Sequence, residues 1–338
     1  MAEPSVLIPG LLGPLEELQD HAAALPDVKI LSQSLCRADC RQDIPANYLS
    51  TLAHLLHLPN QLSASQLSAT FDDIETNVHT MRADPVHFKA EMDRAVLLDQ
   101  HRLGIYPEEA QALVDAFNQH FADDGLRLEC SDAARWYLHF TQILDIQTTA
   151  LPQAIARNVH NFLPQGEDAR RWRQILNEAQ MLFHAHEVNQ RREAAGQLTI
   201  NSLWLWGEGD DLSESKKTTS VDWIMADEPL ACGLAQQLAI PLQPKQPDFS
   251  GLSGKGLLVL DQLSAPASYG DVSAWLAEIE LFSQQWMPAL LAALKSGQFS
   301  TLHLYSDNGT AFSLSRYSLF KFWRRGHWAD FVSRETKN

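Results

Sequence analysis

The stretch GLLVLDQLSAPASYGDVSAWLAEIELFSQQWMPALLAAL, residues 256–294, decides the fold class of this chain. It opens with an apolar run that ends in Asp261 and continues into a long amphipathic segment over residues 275–294. A strand with apolar residues on both faces is typical of a parallel sheet that is covered by helices. The stretch therefore predicts a buried parallel strand with a carboxylate at its end, followed by a helix that packs on the sheet.

The pattern outside this stretch changes twice along the chain. Strand and helix patterns alternate at the start, with strands at 5–8 and 28–31 and helical segments at 15–25 and 46–70, and the alternation returns after Gly196 with a strand at 202–207. The block between reads as separate strands and helices. We expect an α/β domain, formed by residues 1–78 and 198–338, with a mostly parallel sheet and helices on both faces. Residues 79–197 are expected to form an inserted α+β domain.

Composition limits the classes of function. The chain has 338 residues, 45% of them apolar, and a formal net charge of −16. That acidic excess argues against nucleic acid as a partner, because phosphate binding needs Lys and Arg. No apolar run is long enough to cross a membrane, so no membrane partner is expected. Four Cys and an N-terminus without a signal-peptide pattern predict a cytoplasmic protein.

Two short segments allow alternative interpretations. LYSDNGTAF, residues 304–312, is either a strand that enters an Asn308-Gly309 hairpin turn or the remnant of an Asp-His metal site at a strand end. RYSLFKFWRRGHW, residues 316–328, mixes Arg and Lys with aromatic residues. It is either a terminal strand whose Arg stems cover apolar rings or a site for a phosphate or an acidic partner.

Three stretches in order resemble one family. They are RADP (82–85) with LLDQHRLGIYPEEAQAL (97–113), then HEVNQRREAAGQLTINSLWLWGEG (186–209), then the stretch that opens at Leu258. Together they are similar to the archaeal-type cofactor-independent phosphoglycerate mutases of the alkaline phosphatase superfamily. They also resemble a degenerate bacterial branch filed as pathogenicity-factor regulatory proteins. The resemblance implies an alkaline-phosphatase-like sheet with an inserted domain.

The resemblance also implies a chemistry that this sequence only partly supports. The family uses two divalent metals, held by Asp and His, and a Ser nucleophile. This chain has Pro9-Gly10 where the first strand of the family ends in a metal-binding Asp, Tyr269 in place of a His, and Asn308 in place of another His. Asp261 and Asp307 then remain as vestigial metal ligands.

The resemblance leaves two interpretations of function. In the favoured one, the protein is non-catalytic, needs no cofactor and acts as a binding or regulatory module for a small phosphorylated ligand or a protein partner. Arg82, Arg192 and Asn201 are its candidate ligand-binding residues, although Arg192 and Asn201 could instead tie the inserted domain to the sheet. In the alternative, the protein is an active mutase or phosphatase that uses Mn, Mg or Zn. Its rearranged ligands would come from the His residues and four further acids, namely Asp84, Asp99, Asp210 and Asp211.

Overall fold

A computed structural model of the chain describes residues 2–14, 28–58, 61–76, 79–92, 94–141, 145–209, 212 and 221–324. The chain divides into two compact units. The first unit comprises Met1–Leu62 with Leu212–Asn338, and the second comprises Ser63–Asp211. The helical segment expected at 15–25 lies outside the described residues.

Strands and helices are numbered along the chain. The strands are β1 (Glu3–Leu7), β2 (Asp39–Arg41), β3 (His79–Glu91), β4 (Arg94–Leu98), β5 (Leu126–Asp132), β6 (Arg135–Phe140), β7 (Ser202–Trp206), β8 (Trp223–Met225), β9 (Leu242–Gln243), β10 (Lys255–Val259), β11 (Thr301–Tyr305) and β12 (Ala311–Ser315). The α-helices are α1 (Lys29–Arg37), α2 (Tyr48–Leu56), α3 (Ala64–Phe71), α4 (Gln100–Leu103), α5 (Pro107–His120), α6 (Leu151–Ala154), α7 (Ala169–Ala185), α8 (Glu187–Ala194), α9 (Pro229–Gln237), α10 (Ser264–Ser268) and α11 (Val272–Ser296).

The first unit is built on a seven-stranded sheet in the order β2-β12-β11-β1-β10-β8-β9. The five strands from β11 to β9 are parallel to one another, with Val6 of β1 opposite Leu258 of β10 and Leu304 of β11. β12 and β2 pair antiparallel at one side. The mostly parallel sheet expected from residues 256–261 is therefore confirmed.

Helices cover both faces of this sheet, as the sequence predicts. On one face, Val6 and Leu258 belong to a buried cluster with Leu35 of α1 and Trp275 of α11. α11 begins at a side-chain cap, where Asp271 accepts a hydrogen bond from the backbone N of Ala274, 3.1 Å away. α9 contacts β8, and the central-strand residues that point to the other face, such as Leu7 and Val259, are also fully buried. Burial on both faces explains the unbroken apolar runs.

Two local expectations in the first unit are wrong. Residues 28–31, expected as a strand, form the N-cap and the first turn of α1, in which Leu31 and Leu35 are one helical turn apart and both buried. The two-residue turn at Asn308-Gly309 is replaced by a three-residue loop, closed by a 2.9 Å hydrogen bond from Ser306 N to Thr310 O. Only Gly309 takes a positive φ, of 95°. That pattern is the three-residue hairpin loop with glycine at the left-handed position.

The second unit holds a five-stranded antiparallel sheet. β3 is 13 residues long and pairs in succession with β6, β7 and β4, while β5 extends the sheet beyond β6. Its buried core includes Phe117 of α5, Trp136 of β6, and Trp172 and Phe183 of α7. One amphipathic helix face on each of α5 and α7 therefore packs on the sheet.

The second unit differs in extent from the inserted domain expected at 79–197. β7, expected in the parallel sheet, pairs with β3 instead. α3 also lies in the second unit and contacts β3. The expected helical segment at 46–70 is two helices, because α2 ends at His57 in the left-handed conformation and Ser63 caps α3. That the second unit is an inserted domain stays a prediction.

Candidate functional site

The carboxyl ends of the parallel strands meet at one edge of the seven-stranded sheet, where ligand sites of open α/β sheets form. Asp261 follows β10 and Asp307 follows β11, and β1 lies between these two strands. At a strand spacing of about 4.8 Å, their strand ends are about 10 Å apart. The structure therefore places the two predicted metal ligands at the same edge, two strands from each other.

Asp307 is bound to the loop that follows β1. Its Oδ1 accepts a 2.9 Å hydrogen bond from the backbone N of Gly10. The carbonyl of Gly10 in turn accepts a 2.7 Å bond from Nε1 of Trp275. Burial raises the pKa of Asp307 above its ordinary value, and the N–H of Gly10 opposes that rise. Asp307 thus holds a backbone turn at the place where the resembled family carries a metal-binding acid.

Gly10 is required at this turn. Its φ is +75°, and an added Cβ would lie 2.5 Å from the carbonyl oxygen of Leu263. A side chain would therefore be strained by the backbone and would collide with the chain.

Asp261 is paired with an ammonium group. Nζ of Lys245 lies 3.2 Å from Oδ1 of Asp261 and also forms an ion pair with Oδ1 of Asp227. The Lys245 side chain is only 18% exposed. Burial alone would lower the pKa of Lys245, but hydrogen bonding to Asp227 and the charge of Asp261 outweigh it and raise that pKa. The cation at this edge is thus supplied by the chain itself.

A half-buried acid, Glu228, lies next to this ion pair in sequence. Glu228 caps α9, with its carboxylate accepting 2.8 Å bonds from the backbone N of Leu230 and Ala231. It also accepts a hydrogen bond from the hydroxyl of Tyr48. Burial raises the pKa of both Glu228 and Tyr48. The Glu228 carboxylate therefore stabilises the N-terminus of α9, a position that binds carboxylates well, and the Tyr48 hydroxyl donates to that carboxylate.

Four residues of this edge are absent from the candidate site residues predicted from the sequence, namely Lys245, Asp227, Glu228 and Tyr48. One signal was available, because Asp227-Glu228-Pro229 places an acid immediately before a proline that begins a helix. Lys245 gave no such signal, since the strand before it has only two residues.

The side chains at this edge do not fit the two-metal set that the resemblance implies. Mg²⁺ and Mn²⁺ need about six ligands, mainly oxygens. Here one oxygen of Asp307 accepts an N–H, and Asp261 faces an ammonium. Over the described ranges, no group of three or more His, Cys, Asp or Glu is arranged to hold a metal ion. Asp210 and Asp211 lie outside those ranges.

Arg82, the first candidate for a phosphorylated ligand, is enclosed in the second unit. Its Nε and Nη2 donate to Oδ1 of Asp84 at 3.0 and 2.6 Å. Its guanidinium carbon lies 5.7 Å from the ring centre of Tyr137 and 5.2 Å from that of Trp206. The other oxygen of Asp84 accepts a 2.7 Å bond from Nε1 of Trp206. Burial raises the pKa of Asp84, although Arg82 opposes the rise.

Arg192 is fully buried and contacts three acceptors. Nη1 lies 2.5 Å from Oε2 of Glu109, Nε donates to the carbonyl of Leu198 at 2.7 Å, and Nη2 donates to the carbonyl of Leu103. The guanidinium therefore joins α5, the end of α4 and the chain after α8.

Asn201 bonds both backbone groups of Phe88. Its Oδ1 accepts from the backbone N at 2.8 Å, and its Nδ2 donates to the carbonyl at 3.1 Å. Asp99, one of the alternative metal ligands, caps α4 and lies 2.9 Å from Nδ1 of His101. The structure thus gives each of these residues a separate protein partner and does not bring the three ligand-binding candidates together.

Two further features of the described residues concern membrane-spanning helices and cysteines. No helix in the described part of the chain is long and apolar enough to span a membrane. None of the four cysteines, Cys36, Cys40, Cys130 and Cys232, forms a disulfide bond. Burial raises the pKa of the Cys232 thiol to about 11, so this thiol stays protonated near neutral pH.

Comparison with known proteins supports the resemblance over part of the chain. No protein-family profile matches it. It is 22% identical over 134 residues to the 2,3-bisphosphoglycerate-independent phosphoglycerate mutase of Methanosarcina mazei, covering 38% of this chain and 34% of that protein. It is 24% identical over 185 residues to the enzyme of the same name from Methanothrix thermoacetophila, covering 48% and 47%. The matches thus span between a third and a half of these relatives.

One solved structure shares the fold. The PH0037 protein from Pyrococcus horikoshii aligns over 93% of this chain and 87% of its own, with a TM-score of 0.52 and 14% sequence identity. At that identity the likeness concerns the fold alone. The chain is therefore an α/β protein that is similar in sequence, over part of its length, to the cofactor-independent phosphoglycerate mutases.

Proposed function

We propose that this chain is a phosphoglycerate-mutase-like protein that carries out no metal-dependent phosphoryl transfer and acts as a cytoplasmic binding or regulatory module. The observation that carries the proposal is the internal pairing of the acids at the sheet edge. Asp307 accepts the N–H of Gly10, and Asp261 faces the ammonium of Lys245. Four cysteines that form no disulfide bond support a reducing compartment.

The physical reason is the number of free ligands. Two-metal phosphoryl transfer needs several carboxylates and imidazoles that converge on the ions. At this edge the two remaining carboxylates already interact with groups of the chain itself, Asp307 with a backbone N–H and Asp261 with an ammonium. Loss of several kcal/mol of Lewis-acid stabilisation would slow transfer by roughly 10³-fold or more.

The candidate ligand-binding residues favour a protein partner over a small phosphorylated ligand. Arg82 and Arg192 are buried, and each guanidinium already donates to a carboxylate. A phosphate would have to displace Asp84 or Glu109 to reach them. We therefore assign structural roles to Arg82, Arg192 and Asn201.

The test is a metal and activity measurement on the purified full chain. After incubation with Mn²⁺ or Zn²⁺ and gel filtration, elemental analysis should find no stoichiometric metal, and 3-phosphoglycerate should not be converted to 2-phosphoglycerate. Asn308→His, which restores one imidazole, serves as the comparison and should gain neither property. Metal-dependent turnover on the order of 1–10³ per second in the unmodified chain would refute the proposal. That result would establish the alternative, an active enzyme with rearranged ligands.

A further inference from the structure

An open groove lies on the first unit, away from the carboxylate edge. The groove lies between helices α1 and α11, and each helix lines it with side chains at positions i, i+3, i+4 and i+7. On α1 these run from Ile30 to Arg37, and on α11 they run from Pro288 to Lys295. The end of the groove is closed by Arg316–Phe320, and its volume is about 880 Å³. We call this surface the α1–α11 groove.

The wall of the groove is fixed by hydrogen bonds to the backbone. Nη1 of Arg37 donates to the carbonyl of Leu319 at 3.3 Å, and Nη2 of Arg316 donates to the carbonyl of Lys295. The closing segment is therefore held against both helices. The groove is therefore a built feature of the fold.

The groove is basic on an acidic protein. Its described lining includes the cationic side chains of Arg37, Lys295 and Arg316 and no acidic residue, although the chain as a whole carries −16. Elsewhere the net charge repels acidic partners, so the groove is the place where such a partner gains from complementary charge.

The groove is also rimmed by exposed aromatic side chains. Tyr317 is 83% exposed and Phe320 is 70% exposed. After Lys321 come Phe322 and Trp323, each 67% exposed, whose rings lie edge to face with centres 5.4 Å apart. Arg with Tyr, Phe and Trp is the composition typical of protein interfaces. An exposed apolar patch beside a groove marks an interaction site.

We propose that the α1–α11 groove binds an acidic amphipathic helix of a partner protein. Two rows of side chains at helical spacing, which include the apolar side chains of Ile30 and Leu291, fit the apolar face of a third helix. Glu and Asp on the flanks of that helix would pair with the three cations. This proposal gives a site and a partner class to the binding role proposed above.

The first test is a peptide selection with a built-in discriminator. Random peptides of about 16 residues, long enough to form a helix, are displayed and selected on the immobilised full chain. Non-specific attraction to a chain of −16 would enrich basic peptides. We expect instead enriched peptides that carry net negative charge and large apolar residues at helical spacing. A pool without acidic bias would overturn the proposal.

The second test measures the affinity of one enriched peptide by fluorescence anisotropy. The groove variant Lys295→Glu with Tyr317→Ser alters two exposed side chains and should weaken binding at least tenfold. The matched control is Arg173→Glu with Met181→Ser, which makes the same kinds of change on exposed residues of α7. Equal affinities for the two variants would place the peptide elsewhere and refute the proposal. Far-UV circular dichroism of both variants checks that each is folded.

The remaining rival occupant is a second copy of this chain. Analytical ultracentrifugation compares the unmodified full chain with the groove variant and the control variant. We expect no dimer that depends on the groove. A dimer that dissociates in the groove variant but persists in the control variant would overturn the proposal. Because neither Asp261 nor Asp307 contributes to the groove, the outcome is separate from that of the mutase assay. An active enzyme could still bind a helix here, and an inactive chain could fail to do so.

Discussion

Replacing Arg192 with Met tests whether this residue is structural or binds a ligand. The Arg192 side chain is 0% exposed and Glu109 is 17% exposed, so the substitution leaves a largely buried carboxylate without its cation. It also removes the donors to the carbonyls of Leu103 and Leu198. Removing one partner of a buried ion pair costs about 3–5 kcal/mol. Glu109 keeps a 3.0 Å bond from the backbone N of Tyr106, so we expect about 3 kcal/mol.

The assay is urea unfolding near neutral pH, followed by far-UV circular dichroism. The midpoint should fall while the slope stays unchanged, because the native surface area is retained. The control is Arg191→Met, one residue away, whose side chain is 70% exposed and lies 3.7 Å from Glu187. That exposed pair at i, i+4 should contribute only about 0.3–0.5 kcal/mol.

The comparison has a clear refutation. If Arg192→Met costs no more than Arg191→Met, the buried network does not stabilise the second unit and a ligand-binding role becomes the better explanation. Arg192→Lys should recover little of the loss, since one ammonium cannot replace three donors in a fixed planar arrangement.

Three further substitutions test the carboxylate edge. Gly10→Ala should lower the free energy of unfolding, measured in urea, by about 2–4 kcal/mol, because the strain of a left-handed backbone adds to a collision with Leu263. The control Gly251→Ala, at a φ of +77° with open space around the added Cβ, should cost about 1 kcal/mol. Equal losses for the two variants would show that the collision at residue 10 is relieved. Asp307→Asn should be at least as stable as the parent near neutral pH, because the amide oxygen still accepts the N–H while the buried charge is removed. The folded-state pKa of Asp307 is raised above 3.8, so the parent protein gains stability as the pH falls through that pKa, whereas the variant does not. The difference in unfolding free energy between variant and parent should therefore narrow in acid. A variant that is less stable than the parent at neutral pH would contradict this. Lys245→Met should cost about 1 kcal/mol, and the loss should shrink in about 1 M NaCl, because the carboxylate partners are 39% and 60% exposed; a salt-independent loss in the same titration would assign the effect to packing.

The parallel sheet was predictable because its central strands state their environment directly. The apolar run ending at Asp261 indicates burial on both faces, which is typical of a parallel sheet covered by helices. The position of Asp261 and Asp307 at one edge follows from the common direction of β10 and β11. Their partners do not follow, because Gly10 and Lys245 come from distant segments and reach the edge through tertiary structure.

Other features were hidden by local ambiguity. Strand β7 is buried at all five residues, a pattern that suits either sheet, so pairing with β3 could not be read from Ser202–Trp206 alone. Residues 28–31 form too short a window to distinguish a strand from the first turn of a helix. The segment at 316–328 mixes aromatic and basic residues, for which a terminal strand was one interpretation; its described part, residues 316–324, forms turns and a short 3₁₀ helix at Ser318–Phe320.

The two outer strands of the seven-stranded sheet have a consequence for how the protein behaves at high concentration. β2 has three residues, all exposed and two of them charged, and β9 has two residues. An unpaired strand edge is a template on which another chain can add a strand, and the hazard grows with the length and apolar character of that edge. The long apolar strands β1, β10 and β11 lie inside the sheet, where no other chain can pair with them. Short, polar edges thus protect the sheet from aggregation and leave contacts between side chains, at surfaces such as the α1–α11 groove, as the route to association.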